Sequence, residues 1–447
     1  MKKFHLETLF SFGYRFKNPQ RQLMVGYSAY SILGTLLLSL PFCNRGGISV
    51  VDNMFSAVSA LSTTGLSTVD VSSDYTFWGQ MVILLLIQLG GLGYMTFSSY
   101  VMCHLTRHLG TNEAKMFHAQ FSFPDKMQSD NMLGNIVNFA LAFELLGIIL
   151  LYPYFLLNHI ENPLWSAVFH AVSAFCTAGF SIFSDNLVGF QTDWYVNLVI
   201  AMLSYMGGMG FIMMTDVLRK LRMPGYKISF TTKVIAVITT GLTLWSTIHL
   251  FCFEPALQEM NFSDRLLVAW FHSMSAITTV GFNTIDTSSV CAVTMVVLSF
   301  SMYIGASPSG TGGGLKSTTL SALFAYTKNK LGLRKDISLV GNKVPVYRVD
   351  AALTTAVFYT LILAVGIYLL TIFEGNGQDF LDIVFEATSA LATAGLSSGI
   401  LSSVCTAGKL TLIILMFIGR VSVITLGNVM LFRAHAKKAR HKSDLVV

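Results

Sequence analysis

The stretch FSAVSALSTTG, residues 55–65, decides the fold because three further segments of the chain share its pattern. They are FHAVSAFCTAG at 169–179, FHSMSAITTVG at 271–281 and FEATSALATAG at 385–395. Each reads as Phe, three residues, Ser-Ala, two residues, Thr, one residue and Gly. A repeat this regular sets the architecture before any other feature is considered. Each copy predicts a short helix that runs into a Thr-x-Gly turn.

The glycine turns give the repeat a chemical meaning. Glycine adopts backbone angles that other residues resist, so carbonyl groups at such a turn can point where a helix would not allow. Four turns around one axis would form a ring of carbonyl oxygens, which can replace the hydration shell of a cation in a pore. The alternative is four ordinary surface helices with glycine caps, which four copies in one context disfavour. The predicted ion-binding residues are Thr64, Gly65, Ala178, Gly179, Val280, Gly281, Ala394 and Gly395.

The composition indicates that lipid surrounds the chain. It is 53% hydrophobic and 12% charged, whereas soluble domains carry about 25% charged residues. Apolar runs precede and follow each repeat, including one over residues 196–214, and about 20 residues cross a bilayer. The repeat segments, at about 12–14 residues, are too short to cross. We therefore predict an all-α polytopic membrane protein with eight spans and four re-entrant pore segments around one central pore.

The predicted units are pseudo-repeats, each with the order helix, pore helix, glycine turn, helix. They cover residues 22–105, 132–220, 232–328 and 350–433, between basic tails at 1–21 and 434–447. Most of the 29 lysines and arginines lie in the tails and in the loops that join the units. Because basic loops stay on the cytoplasmic side, both termini are predicted to be cytoplasmic. The positive charge there favours anionic lipid or a cytosolic protein as a partner, and not nucleic acid.

Glycines also occur near the middle of the second span of each unit. LGGLGYM at 89–95 and MGGMGFIM at 206–213 are predicted to be helices whose small residues allow close packing. In IGASPSGTGGGLKST at 304–318 no helix would be stable, because glycine and proline are the poorest helix formers. We predict a loop within the membrane, below the glycine ring, that acts as a gate. Its residues are Gly305, Ser307, Pro308, Ser309, Gly310, Thr311, Gly312, Gly313, Gly314 and Lys316.

A phosphate-binding loop is the alternative interpretation of GTGGGLKS within that segment. However, no strand precedes it and no glycine directly precedes Lys316. In unit 4 the corresponding place is occupied by Arg420. A charge at mid-membrane depth is costly and therefore indicates function, so we predict that Arg420 is a barrier below the ring or a partner of the gate loop. A structural arginine paired with an acid is the alternative.

Two acidic residues are also predicted to lie within the membrane. They are Glu144, in the first span of unit 2, and Glu386, in the fourth pore segment. Glu386 replaces the serine or histidine of the other copies and is predicted to form hydrogen bonds behind the pore segment. The corresponding histidines, His170 and His272, favour packing or hydrogen bonding over catalysis. We therefore predict that the protein is not an enzyme.

Taken together, the four turns, the GGLGYM motif, the broken helix of unit 3 and Arg420 resemble the Trk/Ktr/HKT superfamily of potassium transporters. The resemblance covers nearly the whole chain and is strongest to bacterial membrane subunits of the KtrB type. It implies a potassium-selective translocation subunit in the bacterial plasma (inner) membrane, working as a homodimer with one pore per protomer. The turn glycines would form the filter, and Gly65 in particular points to potassium, since serine there accompanies sodium transport in plant relatives. The resemblance also implies stimulation by Na⁺ and a cytosolic ring of nucleotide-binding regulatory subunits.

Three transport mechanisms are compatible with these features. The first is gated, passive K⁺ uptake driven by the membrane potential. The second is a less selective Na⁺/K⁺ channel. The third is a cation-coupled secondary transporter, whose folds usually contain inverted repeats with helices broken at corresponding positions. The third is disfavoured, because the repeats here share one orientation and only one helix is predicted to be broken.

Overall fold

The computed structural model describes residues 19–93, 129–333, 337–375, 377–421 and 426, and within these ranges it contains fourteen α-helices. Unit 1 contains α1 (Pro19–Leu38), α2 (Val50–Ser62) and α3 (Phe77–Gly91). Unit 2 contains α4 (Ser129–Leu157), α5 (Pro163–Phe175), α6 (Trp194–Gly208) and α7 (Gly210–Arg222). Unit 3 contains α8 (Phe230–Phe253), α9 (Phe262–Thr278), α10 (Ala292–Tyr303) and α11 (Ser317–Leu331). Unit 4 contains α12 (Val346–Glu374), α13 (Phe380–Ala392) and α14 (Thr406–Val421).

Strand structure in the described ranges is limited to one hairpin between units 3 and 4. Its strands are β1 (Ser338–Leu339) and β2 (Asn342–Lys343), which pair antiparallel. The chain is therefore predominantly helical, as its apolar composition predicts. The tails and the loop between units 1 and 2 fall largely outside the described residues.

The repeat segments form α2, α5, α9 and α13, which lie at the centre of the molecule. Three of them have 13 residues, as predicted, and α9 is longer with 17. Each packs between the two neighbouring long helices of its own unit. Their central residues are buried, because a short helix surrounded by other helices has no face left for lipid. We call these four helices the pore helices.

Contacts between units close a ring. The helix that follows each pore helix packs on the pore helix of the next unit: α3 on α5, α6 on α9 and α10 on α13. The last contact returns to the start, because α14 packs on α2. At this junction Lys409 Nζ lies 2.6 Å from Asp52 Oδ1, and both side chains are largely buried. The four units thus surround one axis.

Three helices of the described chain are long and apolar enough to cross a membrane by themselves. They are Gly134–Leu157, Phe230–Phe253 and Val346–Glu374, each the first long helix of its unit. A fourth crossing would result if α6 and α7 were counted together, although they meet at an angle of 101°. The apolar helices at α3 and α10 are shorter than 18 residues. The multi-pass character is therefore clear, and the number of eight spans stays a prediction.

The prediction that 206–213 is a continuous helix is wrong. The helix stops at Gly208, and Gly210 has φ of 80°, so the predicted span over 196–214 is bent sharply in its lower half. Within the described part of the motif at 89–95, α3 also stops, at Gly91, and Gly93 has φ of 77°; residues 94–95 lie outside the described residues. Glycine is the residue that adopts such angles without steric cost. The expected close packing is present nonetheless: a Cβ at Gly90 or Gly207 would lie less than 3.0 Å from a carbonyl of the unit's own pore helix.

Candidate functional site

Each pore helix ends in the same backbone turn. The repeat threonines, Thr63, Thr177, Thr279 and Thr393, all have positive φ between 48° and 56°. The residue after each threonine donates its N–H to the carbonyl of the repeat serine, for example Thr64 N to Ser59 O at 2.9 Å. The repeat glycines then have φ between 65° and 97°. The chain therefore leaves each helix through two left-handed residues, which turn the backbone away from the helix axis.

The four turns meet one another. A Cβ placed on any repeat glycine would lie less than 3.0 Å from a carbonyl oxygen of the next unit's turn. In order around the ring, the pairs are Gly65 with Ala178, Gly179 with Val280, Gly281 with Ala394, and Gly395 with Thr64. Glycine is thus required twice, for its positive φ and for the absence of a side chain. All eight residues predicted to bind the ion are brought together in this one ring.

Side chains behind the pore helices attach the segment that comes after each turn. His170 Nε2 lies 2.9 Å from Ser181 Oγ, and Glu386 Oε1 accepts the N–H of Ser398 at 2.8 Å. These contacts match the expected place of Glu386 behind its pore segment. The other predicted intramembrane acid, Glu144, is buried and accepts two hydrogen bonds from the Gln88 amide, at 2.9 and 3.1 Å. Both carboxylates therefore have hydrogen-bond partners away from the ring.

The glycine-rich segment forms a loop, as predicted, between α10 and α11. Its two ends meet, since Ala306 N donates to Gly313 O at 3.1 Å and Leu315 N donates to Tyr303 O at 2.9 Å. A Cβ on Gly305 would lie 2.6 Å from the Cα of Gly314. The loop is therefore compact, with closely packed backbones that leave no room for larger residues.

The tip of this loop contacts the four turn threonines. Thr177 Oγ1 lies 2.9 Å from Thr311 Oγ1, and Thr63 Oγ1 donates to Thr311 O at 3.4 Å. On the other side, Gly313 N donates to Thr279 Oγ1 at 2.9 Å. The fourth, Thr393, is also adjacent, because a Cβ on Gly313 would collide with its hydroxyl. We call these four residues the threonine ring; Thr311, Gly312 and Gly313 cover it.

Two basic side chains donate hydrogen bonds to carbonyls of the loop. Arg420 donates to Thr311 O and to Gly90 O, and so connects unit 4 with the loop and with the end of α3. Lys316 Nζ donates to Gly312 O at 2.7 Å and to Gly313 O at 3.2 Å. Of the two roles predicted for Arg420, its contacts favour that of a partner of the gate loop. The arginine neutralises no carboxylate in these contacts; its acceptors are backbone carbonyls.

The loop contacts weigh against a phosphate-binding site. A phosphate loop offers free backbone N–H groups to the ligand. Here the N–H groups of Ser307, Thr311 and Gly313 already donate to protein acceptors. The lysine bonds to the loop's own carbonyls. The polar groups that would bind a phosphate are therefore already used in contacts within the protein.

Sequence reasoning missed the threonine ring as a set of contact residues. Its signal was present, because threonine stands two positions before glycine in all four copies. The left-handed backbone at each threonine is what turns its hydroxyl toward the loop. The Gly90 carbonyl as an acceptor for Arg420 was also missed, and no local sequence pattern distinguishes that carbonyl from its neighbours.

Comparison with known proteins identifies the family of this chain. The family model described as TrkH, cation transport protein, matches residues 15–438. The Ktr system potassium uptake protein B of Bacillus subtilis (strain 168) is 33% identical over 420 residues, which cover 92% of each chain. The protein of the same name from Vibrio alginolyticus is 30% identical, covering 96% of this chain and 94% of its own. The potassium/sodium uptake protein NtpJ of Enterococcus hirae is 29% identical and covers 95% of both.

A solved structure has the same fold. The crystal structure of the potassium transporter TrkH from Vibrio parahaemolyticus superimposes with a TM-score of 0.74, covering 93% of this chain and 86% of that one at 20% identity. At that identity the likeness shows the fold, and the family model and the curated relatives show the membership. The chain therefore belongs to the TrkH family of cation transport proteins and is a multi-pass membrane protein, not an enzyme.

Proposed function

We propose that this protein is the potassium-selective translocation subunit of a K⁺ uptake system, with the glycine turns as its filter. The observation that carries the proposal is the cyclic contact of the four turns, in which each glycine abuts a carbonyl of the next unit. A ring of backbone carbonyls is the established means of replacing the hydration shell of K⁺. The relatives named as potassium uptake proteins support the choice of ion.

The loop between α10 and α11 is proposed to be the gate. It covers the threonine ring through Thr311 and Gly313 and is attached by Arg420. Each hydrogen bond that attaches the loop contributes about 1 kcal/mol net, so the loss of one or two of them can shift the balance between a closed and a displaced loop. Such a gate requires no ion coupling, so transport would be passive and driven by the membrane potential, at about 2.3 kcal/mol per charge per 100 mV.

The remaining features of the proposal come from the family resemblance. They are a homodimer with one pore per protomer, a location in the bacterial inner membrane, and a cytosolic ring of nucleotide-binding regulatory subunits. The proposed cytoplasmic position of both termini comes instead from the distribution of basic residues. The basic residues of the loops joining the units offer such a ring a positively charged docking surface. Sodium would act as a stimulator of transport, with K⁺ as the transported ion.

A less selective Na⁺/K⁺ pathway is the second candidate. It is favoured by the relative named as a potassium/sodium uptake protein. It is also favoured by the single glycine of each turn, because fewer carbonyl layers discriminate less between cations. Helices are broken in two units, at α6–α7 and α10–α11, and not in one unit only as the sequence predicted. This weakens one argument against alternating access by a secondary transporter. Both breaks, however, lie on the same side of the ring.

The experiment that tests the filter compares Gly65→Ser with Gly46→Ser. Both glycines have φ of 97°, but a Cβ at Gly46 meets nothing within 4 Å, whereas a Cβ at Gly65 would lie 2.5 Å from Ala178 O. Each variant is produced in a bacterium that lacks its own K⁺ uptake. Growth at low K⁺ is then measured together with rubidium and sodium uptake.

We expect wild type and Gly46→Ser to restore growth, and Gly65→Ser to lose its preference for rubidium over sodium. An unchanged preference in Gly65→Ser, at normal membrane abundance, would mean that the ring is structural. If wild type transports both cations equally, the second candidate replaces the first. A linear single-channel current from the purified protein would exclude alternating access.

A further inference from the structure

The break between α6 and α7 lies directly against the first half of the loop. Ser307 N donates to Gly208 O at 3.2 Å, and its hydroxyl contacts Gly208 O and Met209 O. Thr311 N donates to Gly207 O at 3.1 Å. Because the helix is interrupted, the carbonyls of Gly207 and Gly208 bind N–H groups of the loop instead of N–H groups of their own helix.

On the α7 side of the break the direction of the hydrogen bonds is reversed, because here the helix donates and the loop accepts. Phe211 N donates to Ser309 O at 3.3 Å, and Ile212 N donates to Ser309 Oγ at 3.3 Å. These are the first N–H groups of α7, which have no acceptor within their own helix. Ser309 of the loop therefore caps the start of α7. Ser307 and Thr311, two residues before and after it, donate hydrogen bonds to the end of α6.

Gly210, at the centre of the break, leaves no space between the two segments. A Cβ there would lie 2.7 Å from both Gly310 N and Pro308 O, and 2.8 Å from the carbonyl carbon of Ser309. All three atoms belong to the loop backbone, which cannot rotate away as a side chain could. Any residue larger than glycine at this position must push residues 308–310 away from α7.

The two halves of the loop are attached to different units. Residues 307–311 bond to the α6–α7 break of unit 2. Residues 312–316 bond mainly within unit 3, through Lys316 and Thr279. A movement of α7 relative to α9 and α10 would therefore act directly on the first half. Ser309 bonds directly to α7, and displacement of Ser309 would pull on Thr311, two residues further along, and weaken its contacts with the threonine ring.

The other end of α7 provides a place where such a movement could start. Asp216 is buried and accepts hydrogen bonds from Tyr226, from Ser229 N and from Thr232, which fix it to the start of α8. Beyond it, the last turn of α7 contains three basic residues and is exposed. The helix therefore connects an exposed, positively charged end with the loop.

We propose that the α6–α7 break is the docking site of the closed gate, and that displacement of α7 releases the loop. Gly210, Ser307 and Ser309 are its positioning residues. This inference rests on the proposed function of the loop as a gate, and it adds that unit 2 determines whether the loop covers the threonine ring.

The test compares Gly210→Ala with Gly225→Ala in the full-length protein, reconstituted in lipid vesicles without a cytosolic partner. Both glycines have positive φ, of 80° and 90°, but a Cβ at Gly225 meets nothing within 4 Å. The two variants therefore share the backbone strain and differ in the collision with the loop. Rubidium and sodium influx are both measured, along with the amount of monodisperse protein.

We expect Gly210→Ala to raise rubidium influx roughly five- to thirtyfold, the range that corresponds to a loss of one or two weak interactions. The ratio of rubidium to sodium influx should not change, because the filter is untouched. Gly225→Ala should match wild type. General damage to the fold would lower the influx or abolish the ratio, and so would not produce this combination.

A milder pair of variants protects the test against misfolding. Ser309→Ala removes one acceptor of α7, whereas Ser321→Ala removes a hydroxyl that bonds only to its own helix. We expect a smaller rise in influx for Ser309→Ala and none for Ser321→Ala. Wild-type influx in both Gly210→Ala and Ser309→Ala would overturn the inference.

A loop-deletion variant separates this inference from the proposed gate. If deletion of Gly312 and Gly313 raises influx while Gly210→Ala does not, the loop is a gate and the α6–α7 break does not control it. If neither variant changes influx, the loop is no gate and both proposals fail. A rise in both variants supports both.

Discussion

The contact between Thr311 and the threonine ring leads to a quantitative prediction for Thr311→Val. Valine has nearly the shape of threonine, so the backbone packing is kept and the carbonyl still accepts from Arg420. The hydroxyl contacts with Thr177 Oγ1, at 2.9 Å, and with Phe175 O, at 3.3 Å, are lost. Thr177 retains another acceptor, since its hydroxyl also lies 2.8 Å from Cys176 O.

The expected magnitude is set by these two contacts. A hydrogen bond contributes about 1 kcal/mol net, and the contact with Phe175 O is long at 3.3 Å and therefore weaker, so the closed state should lose about 1–2 kcal/mol relative to the open state. This corresponds to a roughly five- to thirtyfold increase in the ratio of open to closed protein. The assay is rubidium influx into vesicles that contain the purified protein, and Thr319→Val, in the first turn of α11, is the matched control.

We expect a higher influx for Thr311→Val at an unchanged preference for rubidium over sodium, and no change for Thr319→Val. A Thr311→Val protein with normal abundance and wild-type influx would refute the reasoning, because the loop tip would then not hold the pathway closed. A changed ion preference would place Thr311 in the filter rather than in the gate.

Two further predictions concern stability. Burial raises the pKa of Asp52, but hydrogen bonds, first that from Lys409, outweigh burial and leave the pKa below its ordinary value. The pair therefore stabilises the fold above the unfolded pKa, near 4, and this contribution is lost as the pH falls through the lower folded pKa. Lys409→Met should lose ~1–3 kcal/mol of stability at pH 7, and its unfolding temperature should fall less than that of wild type as the pH is lowered below about 4. An unchanged pH profile of the unfolding temperature would contradict this. Gly207→Ala should abolish or strongly reduce the amount of folded protein, because its Cβ would collide with Phe175 O. At Gly134 a Cβ meets nothing within 4 Å, so Gly134→Ala should be tolerated. Equal yields of the two variants by size-exclusion chromatography would show that α6 does not pack tightly on its pore helix at Gly207.

Local sequence patterns were sufficient where backbone chemistry decides the outcome. The break at residues 305–314 could be predicted, since no arrangement of neighbours makes a run of glycines around Pro308 a stable helix. The position of Gly65 at the end of its pore helix could be predicted for the same reason, because the Thr-x-Gly turn needs positive φ. The apolar runs likewise indicated a membrane protein before any contact was known.

The break at Gly210 shows where the sequence was insufficient. A glycine between apolar residues is compatible with a tightly packed helix and with a broken one, because glycine costs a helix only about 1 kcal/mol relative to alanine. What decides between them is the loop backbone at residues 308–310, which is distant in sequence and accepts and donates the hydrogen bonds that a continuous helix would satisfy internally.

The sequence by itself therefore determined the repeat, the turn at the end of each pore helix and the membrane environment, all of which depend on interactions between neighbouring residues. Only the tertiary structure decided that the turns meet in the order 1, 2, 3, 4 around one axis, and that Thr311 covers the threonine ring. It also decided that Arg420 reaches the Gly90 carbonyl. The physical reason is that most of these contacts have a backbone carbonyl or N–H group as one partner, which nearly every residue possesses, so no residue type reveals which of them will be used.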